Sequence, residues 1–508
     1  MNKTNIKACM IDISRFRVPT ISRMKKMIKN LSEIGYDTVF YNIEHAFKIP
    51  NHPKIGSEAD GYTIKEFKEL DVYAKENLIE IIPLIQSFGH MFHILKYPEY
   101  ENICESEKKW SLSINDETYK FISDLYKATS KAFSSKYIHI GGDEVYDMAS
   151  GKSKYLLKQG LTKDEIFLDH ILKLKEIANS YDKKIIIWGD MVENNPDIME
   201  KLGENAILCY WNYGFEDMPE TYKGLGNNTL VCPGINTWKS FFPRYDFAIK
   251  NFQLMKERSD LIFAKGFMIT DWGDAGHIHP VSFTENLFKI AYKVFNGEEI
   301  TQFTTNEKLD EIIKILDEIH FGGYLNAENV KGHGEYVTKH LFHEYVFKGK
   351  GFASQTTKQL NSIIDKIEEL KFISETIEYS TELEQDIRLF IDQTILFSKK
   401  IELHLMYRNN ESSLSINIKA EEFIIALRKW FATFMKRWLN GYQPMGLYFH
   451  IHFMKKIEKD IIDGLKCLLG TRFNEIKKET IYDDPEYLNL FSVGNSDALI
   501  KLWDEYRL

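Results

Sequence analysis

Two adjacent carboxylates, Asp143 and Glu144, follow an apolar run and two glycines in the stretch Tyr137-Ile138-His139-Ile140-Gly141-Gly142-Asp143-Glu144-Val145. The run reads as a short buried strand. Gly141 and Gly142 end it and remove side chains where a ligand must come close to the backbone. Carboxylates delivered at a strand end can carry general acid–base work or balance a developing positive charge. The competing reading is a turn whose acids simply begin the next helix, favoured by its dipole. Other residues suit a polar pocket with aromatic walls. Arg15 closes a first strand and can clamp two hydroxyls with its planar guanidinium, and Trp188, Trp211 and Trp272 each close a strand-like run. A tryptophan in a barrel core more often sits in mid-strand, so the terminal positions point to ligand contact.

The elements that must position these residues alternate along the chain. Strands are expected at Lys7–Ile13, Asp37–Tyr41, Leu78–Ile85, Tyr137–Ile140, Lys184–Trp188, Ala206–Trp211, Thr229–Cys232 and Gly266–Thr270. Amphipathic stretches such as Thr20–Ile34, Asp116–Ala132, Lys163–Ser180 and Tyr245–Glu257 fall between most of them. This is the pattern of an α/β protein folded as a (β/α)8 TIM barrel, whose sites lie at the carboxyl ends of the strands. After about Glu298 helical periodicity takes over, at Lys308–Ile319, Thr357–Ile373, Thr381–Met406, Ala420–Leu439 and Leu447–Leu469. The expected division is a barrel over 1–300 and an all-α C-terminal domain over 301–508, a scaffold in which Trp430, Trp438, Tyr442 and Tyr448 are core.

Composition removes several classes. A net charge of -9 on 508 residues lacks the basic balance of a nucleic-acid protein. No run of 18 apolar residues is present to span a membrane. The chain passes from Met1 almost directly into a strand, leaving no room for a signal peptide. The five cysteines are scattered without C-x-x-C spacing, and three lie in strand runs, which suits reduced thiols in a cytoplasmic protein.

The stretch His139-Ile140-Gly141-Gly142-Asp143-Glu144 resembles the catalytic signature of glycoside hydrolase family 20, the β-N-acetylhexosaminidases. Other motifs agree in order. Asp12-Ile13-Ser14-Arg15 resembles the first-strand arginine motif, and Gln86-Ser87-Phe88-Gly89-His90 the third-strand segment. Trp188-Gly189-Asp190 and Trp272-Gly273-Asp274 resemble the fifth- and eighth-strand tryptophan motifs. The resemblance covers roughly residues 5–300. It implies an exo-acting hydrolase of terminal β-linked N-acetylglucosamine, and of N-acetylgalactosamine as a second substrate. An ordinary retaining glycosidase places its two carboxyls ~5 Å apart on opposite sides of the anomeric carbon, which neighbours in sequence do not easily straddle; this family is a recognised substrate-assisted exception. The resemblance implies that the 2-acetamido carbonyl attacks C1, that Glu144 is the general acid and then base, and that Asp143 orients the acetamido N–H. It further implies that His90 supports the carboxylates, that Arg15 and Asp274 bind outer hydroxyls, and that Trp188, Trp211 and Trp272 wall the acetamido pocket. Glu44 is a further polar candidate. No cofactor or metal is implied.

The chain departs from the family in three places. Asp274 stands where glutamate is usual, shortening the reach by one methylene. The seventh-strand Tyr-x-Asp is missing from Cys232-Pro233-Gly234-Ile235-Asn236-Thr237-Trp238; Tyr213 is the candidate to supply the hydroxyl, with Asn236 and Trp238 lining the site. The smaller α/β domain that often precedes the barrel is not expected. Three rivals stand beside this reading. One is a non-catalytic amino-sugar-binding barrel. Another is a metal hydrolase using His139, Asp143 and Glu144, against which stands the expectation that the chain lacks paired H-x-H or H-E-x-x-H spacing. The third is an ordinary β-glycosidase. A homodimer is the expected assembly.

Overall fold

The computed structural model describes residues 5–469 except 58–59, 194–196, 204–205, 239, 275–276, 322–336, 338–339, 342–345, 348–351 and 353–354. Eight parallel strands close into a barrel in sequence order: β1 (Ile6–Asp12), β2 (Thr38–Asn42), β3 (Glu80–Leu84), β4 (Tyr137–His139), β5 (Lys184–Trp188), β6 (Ile207–Trp211), β7 (Thr229–Cys232) and β8 (Gly266–Asp271). β1 closes the barrel against β8, with Ala8 opposite Met268 and Met10 opposite Thr270. The side-chain period of two divides each strand between two cores. Ala8, Met10, Ile82, Leu84, Ile186 and Trp188 fill the interior, while Cys9, Ile11, Ile81, Ile185 and Ile187 face the surrounding helices.

Helices start where side chains satisfy their free N–H groups. Thr20 caps Ile21–Ile34, and capping boxes, Thr63 with Glu66 and Thr162 with Glu165, open Ile64–Glu76 and Lys163–Asn179. The alternation fails once: β6 and β7 are joined by two 3-10 turns, Glu220–Gly224 and Gly226–Asn228. Gly214, Pro219, Gly224 and Gly226 break any helical run there. The glycines before Asp143 also differ in purpose from the expectation. Gly141 and Gly142 adopt φ of 72° and 88°, and the atoms a Cβ would meet are Gln86 Oε1 at 1.9 Å and Ile187 Cγ1 at 3.2 Å. Close packing by the protein itself demands them.

Beyond the barrel, helices run over Glu307–Phe321, Thr357–Ser374, Glu382–Arg408, Ser413–Leu439 and Met445–Leu469. The fourth begins earlier than expected because Ser412 accepts from Ser415 N–H and caps it. Trp430, Trp438 and Tyr442 are buried, and the Tyr448 side chain lies outside the described residues. These helices pack on the barrel: Phe241 meets Trp430 and Phe434 at ring distances of 6.1 and 6.0 Å. Two main-chain bonds, Thr20 N–H to Gly441 O and Gln443 N–H to Val18 O, tie them to the segment following Arg15. No helix among the described residues is long and apolar enough to cross a membrane.

Candidate active site

Asp143 and Glu144 emerge just beyond β4 into a pocket of about 460 Å³, whose walls include Arg15, His90, Trp188, Asp190, Trp211, Tyr213, Trp238, Trp272 and Asp274. Glu144 sits in the left-handed region at φ 48°, a conformation that a non-glycine residue holds only when its surroundings impose it. Its N–H donates to Asp190 Oδ2 at 3.0 Å, and its carbonyl accepts from Trp110 Nε1 at 2.8 Å. Gly89 lets the neighbouring loop close on this turn, since a Cβ there would lie 2.8 Å from Asp143 O.

His90 Nε2 lies 3.1 Å from Asp143 Oδ2 and 3.6 Å from Glu144 Oε2. Burial opposes a charge on His90, but the Asp143 carboxylate outweighs it and lifts the imidazole to about 9. Burial likewise opposes ionisation of Asp143, and the His90 charge holds it below its ordinary value. The second oxygen, Asp143 Oδ1, is buried and has no hydrogen-bond partner among the described residues. A lone acceptor in that setting suits a substrate N–H.

Arg15 Nε donates to Glu44 at 3.1 Å, Nη1 pairs with Asp274, and the guanidinium lies 5.3 Å from the Trp272 ring. Burial alone would lower its pKa, but Glu44, Asp274 and Asp12 raise it, so the cation is fixed. Asp12 joins the first and eighth strand ends: Oδ1 accepts from Ser14 N–H and Oγ–H, and Oδ2 accepts from Gly273 N–H at 3.0 Å.

The apolar wall is built on Tyr213, which stacks with Trp211 at 5.2 Å and meets Trp238 at 5.1 Å. Gly234 permits this, because a Cβ would fall 2.8 Å from the Tyr213 ring. Trp272 Nε1 donates to the Tyr213 hydroxyl at 2.6 Å. Burial pushes that hydroxyl well above its ordinary value, so it keeps its proton and can donate it. Trp188 lies beneath, 5.6 Å from Trp272. It is fully buried at the floor of the pocket, with no hydrogen-bond partner for Nε1 among the described residues; this strand-end position belongs to the barrel interior and to the pocket lining at once.

Two candidate residues stand off the pocket. Glu44 lies behind Arg15, beside a cavity of about 10 Å³ shared with His45, Gln86 and His93. Asn236 is buried and turned back, with Nδ2 donating to Gly234 O at 3.0 Å: at φ 55° it shapes the turn after β7 and does not line the wall. His139 is internal, its Nδ1 accepting from Gly141 N–H. Asp190, Trp110, Glu193, Glu216 and Asp217 were not among the candidates, yet four of them line the pocket, and Trp110 holds Glu144. Asp190 could have been found, since Trp188-Gly189-Asp190 repeats the spacing of Trp272-Gly273-Asp274.

Two groups among the described residues have metal-ligating spacing, Glu44 with His45 and His93, and Asp271 with His277 and His279. The second corrects the expectation that H-x-H spacing is absent, since it contains His277-Ile278-His279, away from the carboxylate pair. There the Arg17 guanidinium bonds Asp271 at 2.9 Å and contacts His277, so a cation already occupies the position. At the first, burial above all, with Lys96 and Arg15 adding to it, keeps the imidazoles neutral, and the two cations oppose a further positive charge.

Residues 7–241 match the model for the catalytic domain of glycosyl hydrolase family 20. The chain is similar to beta-hexosaminidase 3 of Arabidopsis thaliana, 25% identical over 218 residues, covering 40% of this chain and 40% of that one. It is also similar to hexosaminidase D of Bos taurus, 22% identical over 215 residues, covering 39% of this chain and 60% of that one. The chain thus spans two-fifths to three-fifths of the length of these curated relatives. Among solved structures, a chitobiase of Flavobacterium johnsoniae aligns at 16% identity and a TM-score of 0.48, over 82% of this chain and 74% of that one. The family match runs from β1 to the loop after β7 and takes in the turns bearing Arg15, His90, Asp143, Glu144, Trp188 and Tyr213, so that over residues 7–241 the chain is similar to the catalytic domain of glycosyl hydrolase family 20.

Proposed function

We propose that the protein is an exo-β-N-acetylhexosaminidase that releases terminal β-linked N-acetylglucosamine, and N-acetylgalactosamine as a second substrate, by substrate-assisted retaining catalysis. The observation that carries this reading is the free Asp143 Oδ1, buried beside Glu144 at the edge of an aromatic pocket. A buried carboxylate oxygen without a protein donor, beside aromatic side chains, suits an acetamido group whose N–H reaches the oxygen while its methyl packs on the rings. In the proposed cycle Asp143 accepts the acetamido N–H, which orients the carbonyl oxygen to attack C1. Glu144 gives its proton to the leaving oxygen, and an oxazolinium forms with its positive charge facing the Asp143 carboxylate. Tyr213 supplies the hydroxyl that the seventh strand lacks: its oxygen accepts from Trp272, and its proton, within reach of the Thr270 hydroxyl, turns to the acetamido oxygen when substrate binds. Water then attacks C1, activated by the now ionised Glu144. Arg15 and Asp274 exchange part of their mutual ion pair for the outer hydroxyls. The barrel is the catalytic unit in this reading, and the helical half a scaffold. A reducing, cytoplasmic setting suits the free buried thiols of Cys9, Cys104, Cys209 and Cys232. A homodimer through the helical half is favoured by Leu414, Ile418 and Ile425, all exposed on the Ser413–Leu439 helix.

The test is hydrolysis of 4-nitrophenyl N-acetyl-β-glucosaminide and of the matching glucoside. Wild type should cleave the first and leave the second intact, and Glu144→Gln should lose ~10²- to 10⁴-fold in kcat. Cleavage of the glucoside at a similar rate would favour an ordinary β-glycosidase. Binding of N-acetylglucosamine without turnover of either epimer would favour a sugar-binding barrel.

A further inference from the structure

Asp190 belongs to none of the roles assigned above, yet it touches two parts of the site at once. Its Oδ2 accepts the Glu144 main-chain N–H at 3.0 Å, and its Oδ1 accepts Trp211 Nε1–H at 3.3 Å. We propose that Asp190 is a positioning residue that sets the pose of Glu144 and the place of the Trp211 wall together, so that proton delivery and acetamido binding are held in one geometry. The inference rests on the hexosaminidase reading of the site.

Both partners are donors with no acceptor capacity, so only a side chain with an acceptor at each end serves both. Asparagine has nearly the same shape but must turn its NH2 toward one of the two donors. The Glu144 bond has a specific purpose: at φ 48° this residue needs external restraint. Asp190 restrains the N–H side, while Trp110 Nε1 and Tyr146 N–H hold the carbonyl side, each at 2.8 Å. Rotation of that peptide would swing the carboxyl away from the leaving oxygen. Asp190 is in turn held by a rigid turn. Gly189 N–H donates to Cys209 O at 2.9 Å, and Val192 and Glu193 N–H both return to Gly189 O. A Cβ on Gly189 would lie 2.1 Å from the Tyr222 hydroxyl, which donates to Glu193 at 3.1 Å. Its two oxygens are turned to the Glu144 N–H and to Trp211 Nε1–H, so Asp190 acts through those two residues.

The experiment compares wild type, Asp190→Asn and Trp211→Phe on two N-acetyl-β-glucosaminides. The 4-methylumbelliferyl leaving group needs protonation, whereas 2,4-dinitrophenolate departs with little help. Affinity for the N-acetylglucosamine-derived thiazoline and melting temperature are read alongside. Asp190→Asn should lose ~10²-fold in kcat on the first substrate and under ~10-fold on the second, a split that follows from loss of acid catalysis. Its thiazoline affinity should fall several-fold. Trp211→Phe removes only one of the two bonds. It should weaken the thiazoline similarly while leaving the ratio of the two substrates as in wild type, and this prediction stands even if Asp190→Asn does not fold. Equal losses on both substrates in Asp190→Asn, or no loss, would overturn the inference. A changed substrate ratio in Trp211→Phe would also overturn it. Wild-type protein inactive on both substrates would instead defeat the hexosaminidase reading and take this inference with it.

Discussion

The two oxygens of Asp143 have different surroundings: Oδ2 faces the His90 imidazole, and Oδ1 faces no protein donor among the described residues. That asymmetry lets one carboxylate be both anchored and available. It also ties His90 to stability. An imidazole raised from an ordinary ~6.5 to about 9 contributes stability that is complete below pH ~6.5 and fades as pH rises through 9, because the unfolded chain loses that proton first. The stability advantage of wild type over His90→Gln should therefore shrink by up to about 3 kcal/mol between pH 6 and pH 9.5, read from urea midpoints. An advantage constant across that range would show that His90 is neutral in the fold. At this scale the sequence was informative where a residue type had one use, as for Arg15, Asp143 and Trp272 at strand ends. Asn236 misled, because a polar side chain near a strand end can serve the turn's own backbone equally well. Asp190 was passed over because its partners are a main-chain N–H and an indole brought from two neighbouring strands.

The strand-end turns are held by contacts that strand periodicity does not announce. Short β-branched runs mark the strands and threonine caps mark helix starts, so the barrel is legible in the sequence. The bare β6–β7 connection was also visible in its glycines and proline, although the regular alternation obscured it. The contacts of the C-terminal helices with the Arg15 turn were not readable, because they pair residues more than 400 positions apart. Gly446, near the start of the Met445–Leu469 helix, lies against Phe16 O, where an added Cβ would fall at 1.6 Å. Phe16 itself is left-handed at φ 72° and immediately follows Arg15. Gly446→Val should therefore displace the turn and raise KM ~10-fold while kcat changes less than ~3-fold, the signature of lost binding common to ground and transition states. A kcat loss as large as the KM change would place the effect elsewhere.

Over the whole molecule the barrel and the helical half share buried surface. Phe241 and Phe242 on the barrel side pack against Phe390, Trp430 and Phe434, and Ser282 donates to Asp386, which also pairs with Arg437. Removing the helices would expose these rings, each contributing roughly 2–3 kcal/mol of burial. A chain cut after residue 300 should therefore be aggregated or lack a cooperative melting transition, whereas a soluble, cooperatively melting fragment would show the two halves to be independent. The chemical account depends most on Asp143 gripping the acetamido group of a substrate that acts as its own nucleophile. The direct measurement is calorimetric titration of wild type and Asp143→Asn with the N-acetylglucosamine-derived thiazoline, which mimics the cyclised intermediate. The account predicts tight binding by wild type, weakened ~10²-fold or more in the variant through loss of a charge-assisted hydrogen bond and of the opposing charge. Equal affinity in the two proteins, or no binding by well-folded wild type, would contradict it.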